Sequence, residues 1–184
     1  MKLSIKSRRE SVLRSLYSSQ NGLVVHCSAV EEMGDSFIFA GIADAGKSTL
    51  ANKLSGIMTV INDDMNILEF SDTGIKVSTY FTQSENQGFH YLINESATGI
   101  LKAVLFPVKE TGKDSFLELL TDKGFIWKNL LTCVAPPIAG EDHLFPDFLL
   151  MIDRLIDAVP FYSVHHNLKD PPDRIAYLLR SITQ

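Results

Sequence analysis

The spacing of apolar and polar positions changes period along this chain, and the changes divide it into a leading helix, a run of strands and a closing set of helices. Residues 4–18 place Ile5, Val12, Leu13, Leu16 and Tyr17 near one helical face and Lys6, Arg8, Arg9 and Arg14 mostly elsewhere, which predicts an amphipathic helix lying on the body of the protein. Apolar, β-rich runs at 23–30 and 36–40 flank the turn residues 31–35 and predict a hairpin. A brief helix at 50–54, stopped by Gly56, leads to a strand at 57–61. Further strands are expected at 66–70, 75–79 and 89–93, with Asp72-Thr-Gly74 as a hairpin turn and residues 82–88 as a polar loop able to act as a lid.

An apolar strand at 101–108, broken by Pro107, and a polar connection at 109–113 precede a change of character. Residues 115–121 and 125–134 read as helical around Gly124 and end at Pro136-Pro137. From 142 to 159, Phe145, Phe148, Leu149, Ile152, Leu155, Ile156 and Val159 fall at helical spacing and predict the longest helix, closed by Pro160. A short strand at 161–165 follows. Asp170-Pro171-Pro172 then opens a last helix, with Asp170 as N-cap, through Ile175, Leu178, Leu179 and Ile182. The expected fold class is therefore α/β (α+β): a mixed, largely antiparallel sheet with helices mostly in the C-terminal half. Its 184 residues are read as one domain, with 1–20 packing on it as a helix and 135–184 as a C-terminal helical part.

Between the hairpin and the brief helix lies Gly41-Ile-Ala-Asp-Ala-Gly-Lys-Ser48, which fits the phosphate-loop pattern G-x-x-x-x-G-K-[ST]. A loop from strand to helix aims successive backbone N–H groups and the positive helix end at one anion, and a polyphosphate suits it best. Backbone N–H groups of Ala43, Asp44, Ala45, Gly46, Lys47 and Ser48, with Thr49 at the helix start, are expected to cradle phosphates. Gly41 and Gly46 let the backbone approach, Lys47 reaches the β and γ oxygens, and the Ser48 hydroxyl helps to hold Mg²⁺. Sixteen residues after Lys47, Asn62-Asp63-Asp64 stands at a strand end. A strand returning beside the loop strand brings these carboxylates to the phosphates, where one can hold Mg²⁺ and the other take a hydroxyl proton. Adjacent residues of an extended chain point opposite ways, so both serve only if the chain turns there.

Composition narrows the partners. A net charge of −5 and a pI near 5.5 provide no general field for nucleic acid or anionic lipid. Cys27 and Cys133 lie in apolar runs without metal or redox spacing and are expected as buried free thiols in a reducing, cytoplasmic compartment. No apolar run reaches the length of a membrane span. His26, mid-strand among Val24, Cys27 and Val30, reads by itself as a hydrogen-bonded core histidine. His90, His143, His165 and His166 share no metal-ligand spacing. Of Lys102, Lys109 and Lys113, only Lys109 sits where it could meet a phosphate, and a solvated lysine is the plainer reading.

Taken together, Leu23-Val-Val-His26-Cys-Ser-Ala-Val, the loop Gly41 to Ser48 and Asn62-Asp63-Asp64, with the tail from Leu155 to Val164, resemble the catalytic domain of HPr kinase/phosphorylase and its smaller relatives. That family shares its phosphate-loop fold with ATP-dependent phosphoenolpyruvate carboxykinases. The resemblance implies ATP, Mg²⁺ and phosphoryl transfer to a hydroxyl, commonly a serine of a protein or peptide, or a small molecule. It makes Asp64 the general acid/base, Asp63 a metal ligand or base partner and His26 a neighbour of the phosphates. It also allows a homo-oligomer. The chain departs from the family at Ala43-Asp44, where the loop often has Ser-Gly, and shows no counterpart of the Arg-Gly signature after the Asp-Asp strand. Reversible phosphorolysis and HPr as acceptor are therefore not implied. Beside the kinase reading stands a nucleotide-binding sensor that transfers nothing. An ordinary phosphate-loop hydrolase is disfavoured by the antiparallel hairpin before the loop.

Overall fold

A computed structural model describes residues 5–80 and 93–183, and the side chains from residue 10 onward. The elements run α1 (Ile5–Ser18), β1 (Gly22–Glu32), β2 (Asp35–Ala40), α2 (Lys47–Leu54), β3 (Thr59–Asn62), β4 (Met65–Ser71), β5 (Gly74–Thr79), β6 (Gly99–Lys109), β7 (Phe116–Leu120), α3 (Lys123–Leu131), a 3-10 turn (Asp142–Leu144), α4 (Phe145–Ala158), β8 (Phe161–His166) and α5 (Pro172–Arg180). One mixed sheet carries all eight strands in the order β2-β1-β4-β5-β6-β8-β7, with β3 also on β1 and β2 also on β6. Every pairing is antiparallel except β2 with β6 and β6 with β8. The sheet is thus mixed and largely antiparallel, as the sequence indicates.

The apolar runs of the central strands are continuous because both faces are covered. Along β2, Ile38 and Ala40 join one core cluster and Phe37 and Phe39 the other; along β6, Val104 and Phe106 alternate with Ala103 and Leu105. The first cluster is closed by Leu16 and Tyr17 of α1, Ile126 and Leu130 of α3, and Phe148, Met151, Ile152 and Leu155 of α4. The second is closed by Leu50, Ala51 and Leu54 of α2 and by Ile175, Ala176 and Leu179 of α5. Cys27 and Cys133 are buried free thiols, and burial pushes the Cys27 thiol up to about 12. Among the described residues no helix is long and apolar enough to cross a membrane.

Several local expectations need correction. Residues 115–121 do not form a helix: Phe116–Leu120 is the edge strand β7, antiparallel to β8 from Phe116↔His165 to Leu120↔Phe161. Its helix-like spacing of apolar residues is too short to specify a period, and pairing with β8 decides. Helix α4 has 14 residues, the same as α1, so it is not longer. It begins one turn later than predicted, leaves Phe145 and Leu149 exposed and buries Met151 instead. Asp170 does not cap α5, whose N-cap is Pro171; its carboxylate accepts from the Ser115 N–H at 2.6 Å, tying the start of β7 to the start of α5. The predicted strand at 89–93 and loop at 82–88 lie outside the described residues, except that Ile93 bridges to Asn62.

Candidate functional site

Strands β2 and β3 flank β1, both antiparallel to it, and therefore run parallel to each other. Strands β6 and β8 run the same way as β2. The C-terminal ends of these four strands converge at one edge of the sheet, delivering residue 41, residue 63, Lys109 and His166 to one region. Open sheets bind ligands at such strand ends. One expectation changes here: the strand leading to Asp63 does not lie beside the loop strand, because β1 separates them. Cys27↔Ala40 and Ala29↔Asn62 nevertheless put their ends at nearly the same level of β1.

The loop at 41–46 joins β2 to α2 and needs three positive φ angles: Gly41 at 148°, Asp44 at 61° and Gly46 at 110°. Glycine adopts such angles freely, whereas Asp44 holds the left-handed region as a non-glycine. Gly46 has a second reason to lack a side chain, since a Cβ there would stand 2.6 Å from His166 Nε2. Lys47 is 7% exposed, and its ammonium donates to the carbonyls of Gly41 at 2.9 Å and Ile42 at 3.0 Å. These bonds lay the lysine across the loop, at the N-terminus of α2. Ser48 and Thr49 continue that first turn.

The chain bends at Asp63 and Asp64 between β3 and β4. Asn62 shapes the bend: its side chain accepts from the Asp64 N–H at 3.0 Å and donates to the Met65 carbonyl at 2.7 Å. Asn66 adds a bond to the Cys27 carbonyl at 2.8 Å. The bend lets both aspartates face β1. Asp63 is buried and accepts from Ser28 Oγ at 2.5 Å and from the Ser48 hydroxyl. Burial holds its carboxyl above the ordinary carboxylate value, against the pull of both hydroxyls and Lys47. Asp64 Oδ1 lies 3.4 Å from His26 Nε2. His26 is not a core residue: its side chain is about half exposed. Desolvation first, and the Lys47 ammonium next, hold its pKa below 6.5, although both aspartates raise it.

The structure thus brings together Lys47, Ser48, Asp63, Asp64 and His26, with Gly41, Ala43, Ala45 and Gly46 forming the loop. Two further residues carry no obvious sequence signal. Ser28 lies two positions after His26 on β1 and so shares its face; only that period could have pointed to it. His166 is 2% exposed beneath Gly46, and desolvation holds its pKa down. Its neighbour His165 points to the other face, stacking on Phe116 at 4.2 Å with Nε2 3.2 Å from Glu118. Lys109 lines a cleft against Gly41, Ala43, Asp44 and Ala45, whereas Lys102 pairs with Asp35 at 3.1 Å.

A divalent cation fits the donors present. Asp63 and Ser48 are two hard oxygen donors already in contact, and the buried carboxylate is one whose charged form a cation would restore. Compared with protein-family models and with curated proteins, the sequence matches none. Among solved structures, the chain is similar to the HPr(Ser) kinase/phosphatase from Coxiella burnetii, with a TM-score of 0.46 and 10% identity over 86% of this chain and 88% of that one. At that level the likeness is a distant one of fold, and it leaves the site to be judged on its own geometry.

Proposed function

We propose that the protein is a Mg²⁺-dependent kinase that transfers the γ-phosphoryl group of ATP to a hydroxyl. One observation carries this reading: Asp63, delivered by a different strand, meets Ser48 at the start of α2 within the field of the Lys47 ammonium, while Asp64 and His26 stand beside it. That is the set of groups phosphoryl transfer needs, namely a polyphosphate seat, a cation site and a base. Backbone N–H groups of residues 43–48 and the Lys47 ammonium bind the phosphates. Ser48 and Asp63 would hold Mg²⁺, which when bound neutralises charge on the phosphate oxygens. Asp64 accepts the proton of the attacking hydroxyl as its oxygen bonds to the γ-phosphorus and the bond from that phosphorus to the bridging oxygen of ADP breaks. His26, held neutral by its surroundings, orients Asp64 across their 3.4 Å contact.

A second reading rests on Asp44, whose carboxylate and strained φ of 61° sit on the loop itself. It is a nucleotide-binding module without transfer. The two separate in one experiment, transfer of label from γ-labelled ATP into cell extract resolved into protein, peptide and small-molecule fractions. The kinase reading expects label in one fraction with wild type and none with Asp64→Asn. No label from a protein that binds ATP in titration favours the sensor.

A further inference from the structure

A cleft of about 400 Å³ opens beside the phosphate loop. Residues 40–45 form one wall, Pro107 and Lys109 at the end of β6 a second, and Asn129 of α3 a third. The walls meet because β2 and β6 are parallel neighbours, with Phe39 level with Leu105, so the loop leaves β2 beside the last residues of β6. A Cβ on Gly41 would lie 3.9 Å from Pro107 Cδ. Asn129 is held by its own helix, its Nδ2 donating to the Phe125 carbonyl at 2.8 Å. The lining mixes two kinds of surface. Ile42, 65% exposed, and half-buried Pro107 are apolar, whereas Asp44, Lys109 and Asn129 bring an acid, a cation and an amide. Asp44 is the residue least suited to its place: its φ of 61° is one that glycine takes freely, and it puts a carboxylate on a loop whose N–H groups suit anions. A side chain kept in such a conformation points to a role at the site.

We propose that this cleft seats the nucleoside of the bound nucleotide, the Asp44 carboxylate accepting hydrogen bonds from the ribose 2′ and 3′ hydroxyls and the base lying against Ile42 and Pro107. The inference rests on residues 41–48 as a polyphosphate seat, and it holds whether or not transfer follows. Cleft and seat share residues 43–45, so one ligand spans both, its phosphates on the N–H groups and the nucleoside joined to them in the cleft. A carboxylate accepts hydrogen bonds, and a ribose offers it two vicinal hydroxyls, one for each oxygen. Acidic residues hold ribose hydroxyls in this way in dinucleotide-binding folds. Asn129 offers both a donor and an acceptor, which suits the edge of a base, and Lys109 offers a cation to the phosphate that carries the ribose. The phosphoryl acceptor has a different place, since its hydroxyl must touch Asp64, which is not part of this lining. The volume lies within the range of about 300–1,000 Å³ common for small-molecule sites.

The test is calorimetric titration of the full chain, with Mg²⁺, using inorganic tripolyphosphate, ATP and 2′,3′-dideoxyATP. ATP should bind at least tenfold tighter than tripolyphosphate and at least fivefold tighter than the dideoxy analogue. Asp44→Gly should bring ATP and the dideoxy analogue within twofold of each other. Asp44→Asn, a residue that also tolerates positive φ, should cut the same ratio at least twofold, so the carboxylate is tested apart from the backbone. Ile42→Ser, at an exposed position, should reduce the advantage of ATP over tripolyphosphate at least threefold and leave the ribose ratio in place. A loop residue that only shapes the backbone would weaken all three ligands alike. Tripolyphosphate binding as tightly as ATP, or a ribose ratio the same in wild type, Asp44→Asn and Asp44→Gly, would overturn the proposal and leave the phosphate seat standing. Saturable binding of none of the three would overturn the seat, and the proposal with it.

Discussion

Gly46→Ala is the substitution to which the site should be most sensitive, and the structure separates its cost into two parts. The backbone at residue 46 has φ 110° and ψ 11°, a conformation that costs a non-glycine residue about 1–3 kcal/mol. The new Cβ would also stand 2.6 Å from His166 Nε2 and 3.1 Å from its Cε1, and His166, 2% exposed, has little room to withdraw. Overpacking of that kind adds about 1–3 kcal/mol, for a total of about 2–6 kcal/mol. Against a typical stability of about 5–15 kcal/mol, such a loss is easily measured. In a His166→Ala background the steric part vanishes and only the backbone part remains. Urea denaturation of wild type, both single variants and the double variant should therefore give a coupling energy of about 1–3 kcal/mol in favour of the double. Additive losses, or a Gly46→Ala cost below about 0.5 kcal/mol, the range of an ordinary surface substitution, would refute the packing of His166 against the loop.

Three further outcomes are expected. Asp63→Asn should stabilise the fold at pH 7 while removing the Mg²⁺ dependence of nucleotide affinity; because burial raises the folded-state pKa of Asp63, its contribution to stability is fully present below 3.8 and is lost as pH rises through the folded value, so the gain in melting temperature should shrink towards pH 3.8. His26 should titrate by NMR with a midpoint below 6.5, higher in Lys47→Met and lower in Asp64→Asn; the stability gained from its neutral form is complete above 6.5 and falls away as pH drops to the folded value, and a midpoint at or above 6.5 in wild type would contradict the geometry. Phe148→Ala, which removes a ring packed edge-on to Tyr17 at 5.6 Å, should cost about 3–5 kcal/mol in chemical denaturation, and a loss below 1 kcal/mol would contradict the docking of α4 against α1.

What the sequence makes legible is local. The hairpin, the loop and the turn at Asp63 rest on residues close together in the chain, whose φ needs and side-chain bonds are written in glycines and in Asn62. Long-range pairing is what it hides. Nothing in residues 116–120 says that they will lie along β8, and nothing in 59–62 says that β1 will stand between them and the loop strand. Period two explains only some of the histidines. His26 is exposed although Val24 and Ser28 on its own face of β1 are as buried as Val25 and Cys27, so its opening beside Asp64 comes from the site and not from the period. His165 and His166, adjacent in sequence, go to opposite faces, one to Phe116 and the other beneath Gly46. Ser28 becomes visible as a partner of Asp63 only once β3 is known to end at its level.

The central claim is that residues 41–48 and Asp63 together form a Mg²⁺-dependent seat for a polyphosphate, and calorimetric titration with ATP tests it most directly. Wild type should bind saturably with Mg²⁺ present and more weakly without it. Lys47→Met should lose at least tenfold in affinity, and Asp63→Asn should lose the difference that Mg²⁺ makes. Absence of saturable binding by folded wild type, or equal affinity in Lys47→Met, would contradict the account.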